Sequence, residues 1–257
     1  MKITVLAENT AVSDALGHEH GLSLHIQWGE RSILFDMGQS GLFAENAEKL
    51  GIDLSRVDFA VVSHGHYDHG GGLGRFLALN DHAPVYLSRF AFQPHYHGER
   101  YIGLDPALAS SPRLVLTDGT CPICPGAALY GPKGRWKVWD LGSFGLSVLE
   151  DGTMMPEDFR HEQFLLLEEH GRRVLFSGCS HNGALNIASW FRPEVMIGGF
   201  HLMKQPLDGT LERYAAALDA LEVRYCTCHC TGQEQYAFLR PRMKKLSYLA
   251  TGAVAEI

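Results

Sequence analysis

At 257 residues the chain is long for an ordinary domain, yet two-layer α/β folds reach this size undivided, so one domain spanning 1–257 is expected. Hydrophobic residues at 46% and charged residues at 20% exclude a disordered chain, and 22 scattered Lys and Arg against 29 Asp and Glu argue against a nucleic-acid partner. No apolar run approaches the ~20 residues that span a bilayer, and the chain opens into a strand-like segment with no leader, so no membrane partner and a cytoplasmic location are expected.

Short apolar runs bounded by turn residues predict strands at 3–7, 22–28 and 32–36, the last two joined by a hairpin at Gly29-Glu30. Residues 43–50 have helical spacing and stop at Gly51, and the apolar, β-branched run 57–63 predicts a buried strand. A helix is predicted at 73–79 and a strand at 84–88. From Phe90 to Pro132 the pattern turns irregular and rich in Pro, Gly and Ser, which predicts an inserted lid or specificity segment over about 90–132. Regularity returns with strands at 144–149, 163–168 and 173–177, a helix at 184–191, a strand at 194–197, a helix at 211–221 and a strand at 224–227. This order suits an α/β fold of two sheets packed face to face with helices outside.

Between the strand 57–63 and the helix 73–79 stands His64-Gly65-His66-Tyr67-Asp68-His69. His64 and His66, two apart on extended backbone, project to one side and can share a cation, with Gly65 leaving room between them. Asp68 and His69 follow where Gly70-Gly71-Gly72 lets the chain turn, placing them to address a second cation. Imidazoles with a lone carboxylate suit Zn²⁺, and also Fe or Mn. The glycine run lacks the Lys and Ser/Thr of a P-loop, so a nucleotide-triphosphate site is rejected.

The motif resembles the HxHxDH signature of the metallo-β-lactamase superfamily. Blocks at 19–24, 34–39, 63–73, 178–181, 197–202 and 229–232 resemble, more narrowly, the branch of proteins similar to 7,8-dihydropterin-6-methyl-4-(β-D-ribofuranosyl)aminobenzene-5'-phosphate synthases. The resemblance implies a four-layer αββα sandwich with two divalent metal ions at one edge, and hydrolysis of a small-molecule ester, phosphodiester, thioester or amide by a metal-bound hydroxide. It implies His229 as a late ligand of the second metal and Asp36 as the carboxylate that orients a ligand histidine. A bridging aspartate is expected where Gly178-Cys179 stands. Either Cys179 takes that place as a thiolate, or it is a buried neighbour while His181 completes the first metal's shell; the second is favoured. The metal set expected is thus His64, His66, Asp68, His69, His181 and His229. Asp68 and His201 are the catalytic candidates, the latter as an oxyanion donor or further ligand.

His20 and His161 are expected at the pocket mouth, against solvated positions as the alternative. His18, His25, His82 and His170 are expected at surface or packing positions. The diiron oxygen and nitric-oxide reductases of the superfamily carry a glutamate where His66 stands, so His66 points to hydrolysis. A pterin-related synthase and a metal-retaining binding protein are the alternative readings. Cys121-Pro122-Ile123-Cys124 with Cys226, Cys228 and Cys230 raises a cysteine-held structural zinc as a rival, against free thiols. Aromatic residues in the irregular segment, among them Phe90, His95, Tyr96 and Tyr101, either stack on a substrate or pin a loop.

Overall fold

Runs such as Phe164-Leu165-Leu166-Leu167 leave no polar face, so a sheet that contains them must be covered on both sides. The computed structural model, which describes residues 1–257, has this arrangement. In chain order its strands are β1 (Lys2–Ala7), β2 (Ser23–Trp28), β3 (Arg31–Phe35), β4 (Phe59–Val61), β5 (Val85–Ser88), β6 (His95–His97), β7 (Arg100–Tyr101), β8 (Leu114–Thr117) and β9 (Thr120–Cys124). They continue as β10 (Ala127–Tyr130), β11 (Leu146–Glu150), β12 (Thr153–Pro156), β13 (Phe164–Glu169), β14 (Arg172–Phe176), β15 (Val195–Gly198), β16 (Arg224–Thr227), β17 (Leu246–Tyr248) and β18 (Val254–Glu256). The α-helices are α1 (Leu42–Lys49), α2 (Tyr67–Gly70), α3 (Leu73–Leu79), α4 (Ala184–Phe191), α5 (Gly209–Asp219) and α6 (Gln233–Leu239).

Two seven-stranded sheets have the orders β18-β1-β2-β3-β4-β5-β8 and β17-β16-β15-β14-β13-β10-β9. Ile33 and Phe35 of β3 share the inner core with Leu165, Leu167, Val174 and Phe176, so the sheets face each other. Leu34 points the other way, into a core with Phe43, Ala47 and Phe76 from α1 and α3. Leu166, Leu175 and Met196 likewise meet Ile187, Leu211 and Tyr214 of α4 and α5. Each of these apolar side chains contributes roughly 1.5–3 kcal/mol on burial. The result is the αββα sandwich.

From the centre of each sheet to one edge the strands run parallel, β3-β4-β5-β8 in one and β14-β15-β16-β17 in the other. Loops leaving the carboxyl ends of parallel strands emerge together, and such loops are where α/β folds place their ligands.

The segment 90–132 does not form one inserted lid. β8 pairs in parallel with β5 inside the first sheet, and β9 and β10 form the edge of the second. Only the β6-β7 portion stands apart, in a four-stranded sheet ordered β12-β11-β6-β7. The strand expected at 144–149 also belongs to that small sheet, as β11. These strands are short and polar, and β9 carries Pro122, tolerated because β9 is an edge strand.

The cysteine-held zinc is not built. β9, with Cys121 and Cys124, lies five strand spacings from β16, with Cys226, a separation of roughly 24 Å. All six cysteines are free; Cys226 and Cys228 lie in the inner core, and Cys121 and Cys124 are half-buried.

Candidate metal centre

The loop after β4 carries His64 to His69 and is packed too tightly for side chains at its glycines. A Cβ at Gly65 would lie 2.1 Å from Ala91 O, and one at Gly72 2.2 Å from Met37 O. Gly71 and Gly72 have ordinary helical dihedrals, φ −61° and −76°. The glycine run therefore serves close backbone approach rather than a sharp turn.

Hydrogen bonds fix which nitrogen of each histidine is free. Asp36 accepts from Ser63 N at 2.6 Å and from Ser63 Oγ at 2.8 Å. With its hydroxyl proton committed, Ser63 Oγ accepts from His64 Nδ1 at 2.9 Å, and the lone pair of His64 is left on Nε2, buried and without a partner. His69 Nδ1 donates to Asp36 Oδ2 at 2.7 Å, leaving its lone pair on Nε2 as well. His229 Nδ1 donates to Asn9 Oδ1 at 2.7 Å, with the same consequence.

These lone pairs converge. His69 Nε2 lies 3.2 Å from His229 Nε2 and 3.1 Å from Cys179 Sγ. Asp68 Oδ2 lies 3.4 Å from His229 Nε2, 3.9 Å from His69 Nε2 and 3.3 Å from His20 Nε2. Two imidazole lone pairs and a carboxylate this close together in a buried site repel unless a cation lies among them, and this donor set suits a borderline divalent ion.

A second set adjoins the first. His64, Cys179 and His181 can each bring a donor atom within 4.8 Å of the others. The His66 ring lies 4.7 Å from that of His64 and 5.0 Å from that of His181. Cys179 occurs in both sets, at the position between them where the sequence places a bridge. Burial pushes its thiol well above the usual range, so it serves as a thiolate only where a cation offsets the charge. Burial first, and neighbouring imidazoles second, hold His64, His66 and His181 well below the usual imidazole range, keeping their lone pairs available at neutral pH. Burial raises Asp68, but positive charge among its imidazole neighbours His69, His20 and His229 outweighs it and holds the carboxyl well below its usual range; with the Nε2 lone pairs of His69 and His229 free, a cation is what supplies that charge.

The backbone also marks this edge. Asp36, Ser180, His201 and His229 all have positive φ, between 49° and 59°. Non-glycine residues in this region are strained and cluster at functional sites.

A cavity of about 430 Å³ opens onto both sets. His66, Asp68, Cys179, His181 and Cys230 form its base, and His20, Tyr67, His97, Arg100, Phe144, His201, Met203 and Lys204 are among its walls. Arg100 lies over the Tyr67 ring at 4.9 Å. His201 stands between the rings of Phe144, at 4.2 Å, and His181, at 4.4 Å. His20 lines the mouth, with its side chain 46% exposed. His161 is not at the mouth, nor is it solvated: it is fully buried, because its Nδ1 anchors the Gly65 amide at 2.8 Å.

Three further residues hold the centre without any signal in the local sequence. Glu8 accepts from His229 N at 2.6 Å and from Tyr248 Oη at 2.6 Å, and Asn9 orients His229. Glu162 accepts from His181 N at 2.8 Å and Asn182 N at 3.0 Å, holding the loop after β14. His95 lies in the aromatic cluster noted in the sequence, but it is fully buried and bonded to Glu157.

The model of the metallo-beta-lactamase superfamily matches residues 19–224, most of the chain and every histidine of both sets except His229. The chain belongs to the metallo-beta-lactamase superfamily. Among solved structures of this superfamily, Tm1679, described as a metal-dependent hydrolase of the beta-lactamase superfamily, is 31% identical with a TM-score of 0.82, over 100% of this chain and 99% of that one. Two proteins of Methanocaldococcus jannaschii are each 28% identical. One is the uncharacterized protein MJ0448, matched over 99% of this chain and 98% of its own length. The other is a 7,8-dihydropterin-6-methyl-4-(beta-D-ribofuranosyl)-aminobenzene-5'-phosphate synthase, matched over 90% of this chain and 88% of its own length. No helix of this superfamily member is long and apolar enough to cross a membrane.

Proposed function

We propose that the chain is a hydrolase of a small anionic molecule that works with two divalent cations, Zn²⁺ first among them. The observation that carries this reading is the approach of His69 Nε2 and His229 Nε2 to 3.2 Å with both Nδ1 protons committed elsewhere. His64, His66 and His181 would hold one cation and Asp68, His69 and His229 the other, with Cys179 between them. Such a pair of cations, when bound, supplies Lewis acidity and brings the pKa of water down from 15.7 to about 7.

The remaining work falls to the chain's own groups. Asp68, ionised and bonded to His20, orients the attacking water. His201, on the cavity wall beside His181, donates to the oxygen on which charge develops. Arg100 and Lys204 give the cavity a basic rim against the single carboxylate of Asp68, which suits a phosphate or carboxylate on the substrate. Tyr67 and Phe144 offer ring faces beside it.

Purified protein analysed for metals and assayed on esters, phosphodiesters, thioesters and lactams is expected to carry two cations and turn over at least one class. Two tightly held cations with no turnover on the whole panel would sink the hydrolase reading in favour of a metal-retaining binding protein. Within an active class, Arg100→Gln and Lys204→Gln are each expected to raise KM for an anionic substrate about tenfold, equivalent to 1.4 kcal/mol, with kcat and the KM for a neutral analogue little changed. Equal effects on charged and neutral analogues would remove the anionic preference.

The synthase reading draws on the 28% identity to the methanogen enzyme across 90% of the chain. Formation of the compound in that enzyme's name by the purified protein, without hydrolysis of any panel member, would replace the hydrolase reading.

A further inference from the structure

His95, Glu157 and His161 lie against His66 and take no part in the two ligand sets. His95 and His161 are fully buried and Glu157 is 5% exposed. With His66, each can bring one donor atom within 4.8 Å of the others, an arrangement that on distance alone would accept a third cation.

The proton positions exclude that use. His161 Nδ1 accepts from Gly65 N at 2.8 Å, so the neutral ring carries its proton on Nε2 and has no lone pair to offer there. That N–H faces Glu157 Oε1 at 3.5 Å. His95 Nδ1 donates to Glu157 Oε2 at 2.7 Å, which leaves a lone pair on His95 Nε2, buried and without a partner. His161 stacks nearly flat on His95, with centroids 4.1 Å apart and planes at 24°, so its edge does not reach that in-plane lone pair. His66 meets His95 edge-on, with planes at 80° and centroids 5.4 Å apart, and its own Nε2 is also buried and without a partner.

The geometry points to Glu157 and His95 as a positioning pair that keeps the proton of His66 on Nε2, so that Nδ1 is the nitrogen presented to the first cation. This rests on the two-cation reading above. Glu157 accepts from His95 Nδ1 and faces the His161 Nε2–H, which fixes His95; the lone pair on His95 Nε2 and the Nε2 of His66, each without a hydrogen-bond partner in this structure and within one buried group spanning 4.8 Å, are the two atoms that the pairing brings together. Partners of metal-ligating histidines act in this way, and their loss typically costs 10–100-fold in metal affinity or activity.

The test is titration of metal-free wild type, Glu157→Gln, His95→Phe and His95→Gln with Co²⁺, following the visible absorption of bound cobalt and its competition with a chelator. Wild type is expected to take up two equivalents. Glu157→Gln and His95→Phe are expected to weaken one of the two by about 10–100-fold and shift its absorption bands, leaving the other unchanged. His95→Gln, which restores an acceptor oxygen facing His66, is expected to recover most of the loss, as a merely space-filling role would not allow. Should His95→Phe fail to fold, Glu157→Gln and His95→Gln carry the same comparison. Unchanged affinity and spectra in Glu157→Gln would overturn the pairing, as would a third cobalt in wild type that Glu157→Gln loses. Uptake of fewer than two cobalt ions by wild type would overturn the two-cation reading itself, before any variant is compared.

Discussion

Stripping divalent cations with a chelator is expected to lower the melting temperature by about 8–16 °C, reversibly on re-addition of metal. A cation at 1,000 times its Kd stabilises the folded state by about 4.1 kcal/mol, and each kcal/mol is worth about 2–4 °C in a chain of this size. The physical source is the convergence of acceptors at His69, His229 and Asp68, which lie within 3.9 Å of one another with no donor among them. Thermal denaturation of protein as purified, chelated and reloaded checks this. Identical melting in all three states would mean that these acceptors are neutralised by protons rather than by a metal.

The second large effect concerns Asp68. Asp68→Asn preserves volume but removes the charge that three histidines share, with contacts of 3.3 Å to His20 and 3.4 Å to His229. Because Asp68 is proposed to touch both cation and reacting water, its loss is expected to exceed the 10–100-fold of an outer partner and reach about 10³-fold in kcat. One equivalent of bound metal should be lost with it. His82→Ala, at an exposed histidine paired only with Asp81 at 3.2 Å, is expected to change neither quantity more than twofold. Steady-state kinetics and elemental analysis on the two variants make the comparison. Retention of two cations and of kcat in Asp68→Asn would remove Asp68 from the centre.

Much of the fold could be read from the chain because strands buried on both faces are continuous apolar runs between turns, as in Ser32 to Phe35 and Gln163 to Leu167. The segment 90–132 could not be read this way. Its strands are two to five residues long, and His95–His97 and Thr120–Cys124 carry polar residues or proline where an apolar run would be expected. The six residues from His64 to His69 stand out because their spacing is local. Cys179, His181 and His229 were found through resemblance to a family, since nothing in their neighbourhood identifies a ligand. Glu8, Asn9 and Glu157 were missed altogether, and His95 was legible only as a ring that stacks on substrate or pins a loop. Their partners lie 221, 220 and 62 residues away, distances at which no sequence period survives. The solvent-exposed alternative for His161 failed for a related reason: its partner is a backbone amide, Gly65 N, 96 residues away.

The two sheets divide the donor atoms between them. The loop after β4 brings His64 to His69, and the loops after β14 and β16 bring Cys179, His181 and His229, with contacts bridging 110 and 160 residues. Neither half alone supplies a complete donor set, so on the two-cation proposal a nascent chain has no high-affinity site until its sheets have docked and loops of that length have closed. On that proposal metal uptake is a late event in the life of each molecule, and it reports that both halves have folded and met in register. On the two-cation proposal the ions tie one sheet to the other at the carboxyl ends of β4, β14 and β16, and leave the amino ends of those strands, on the far side of the sandwich, without such a tie.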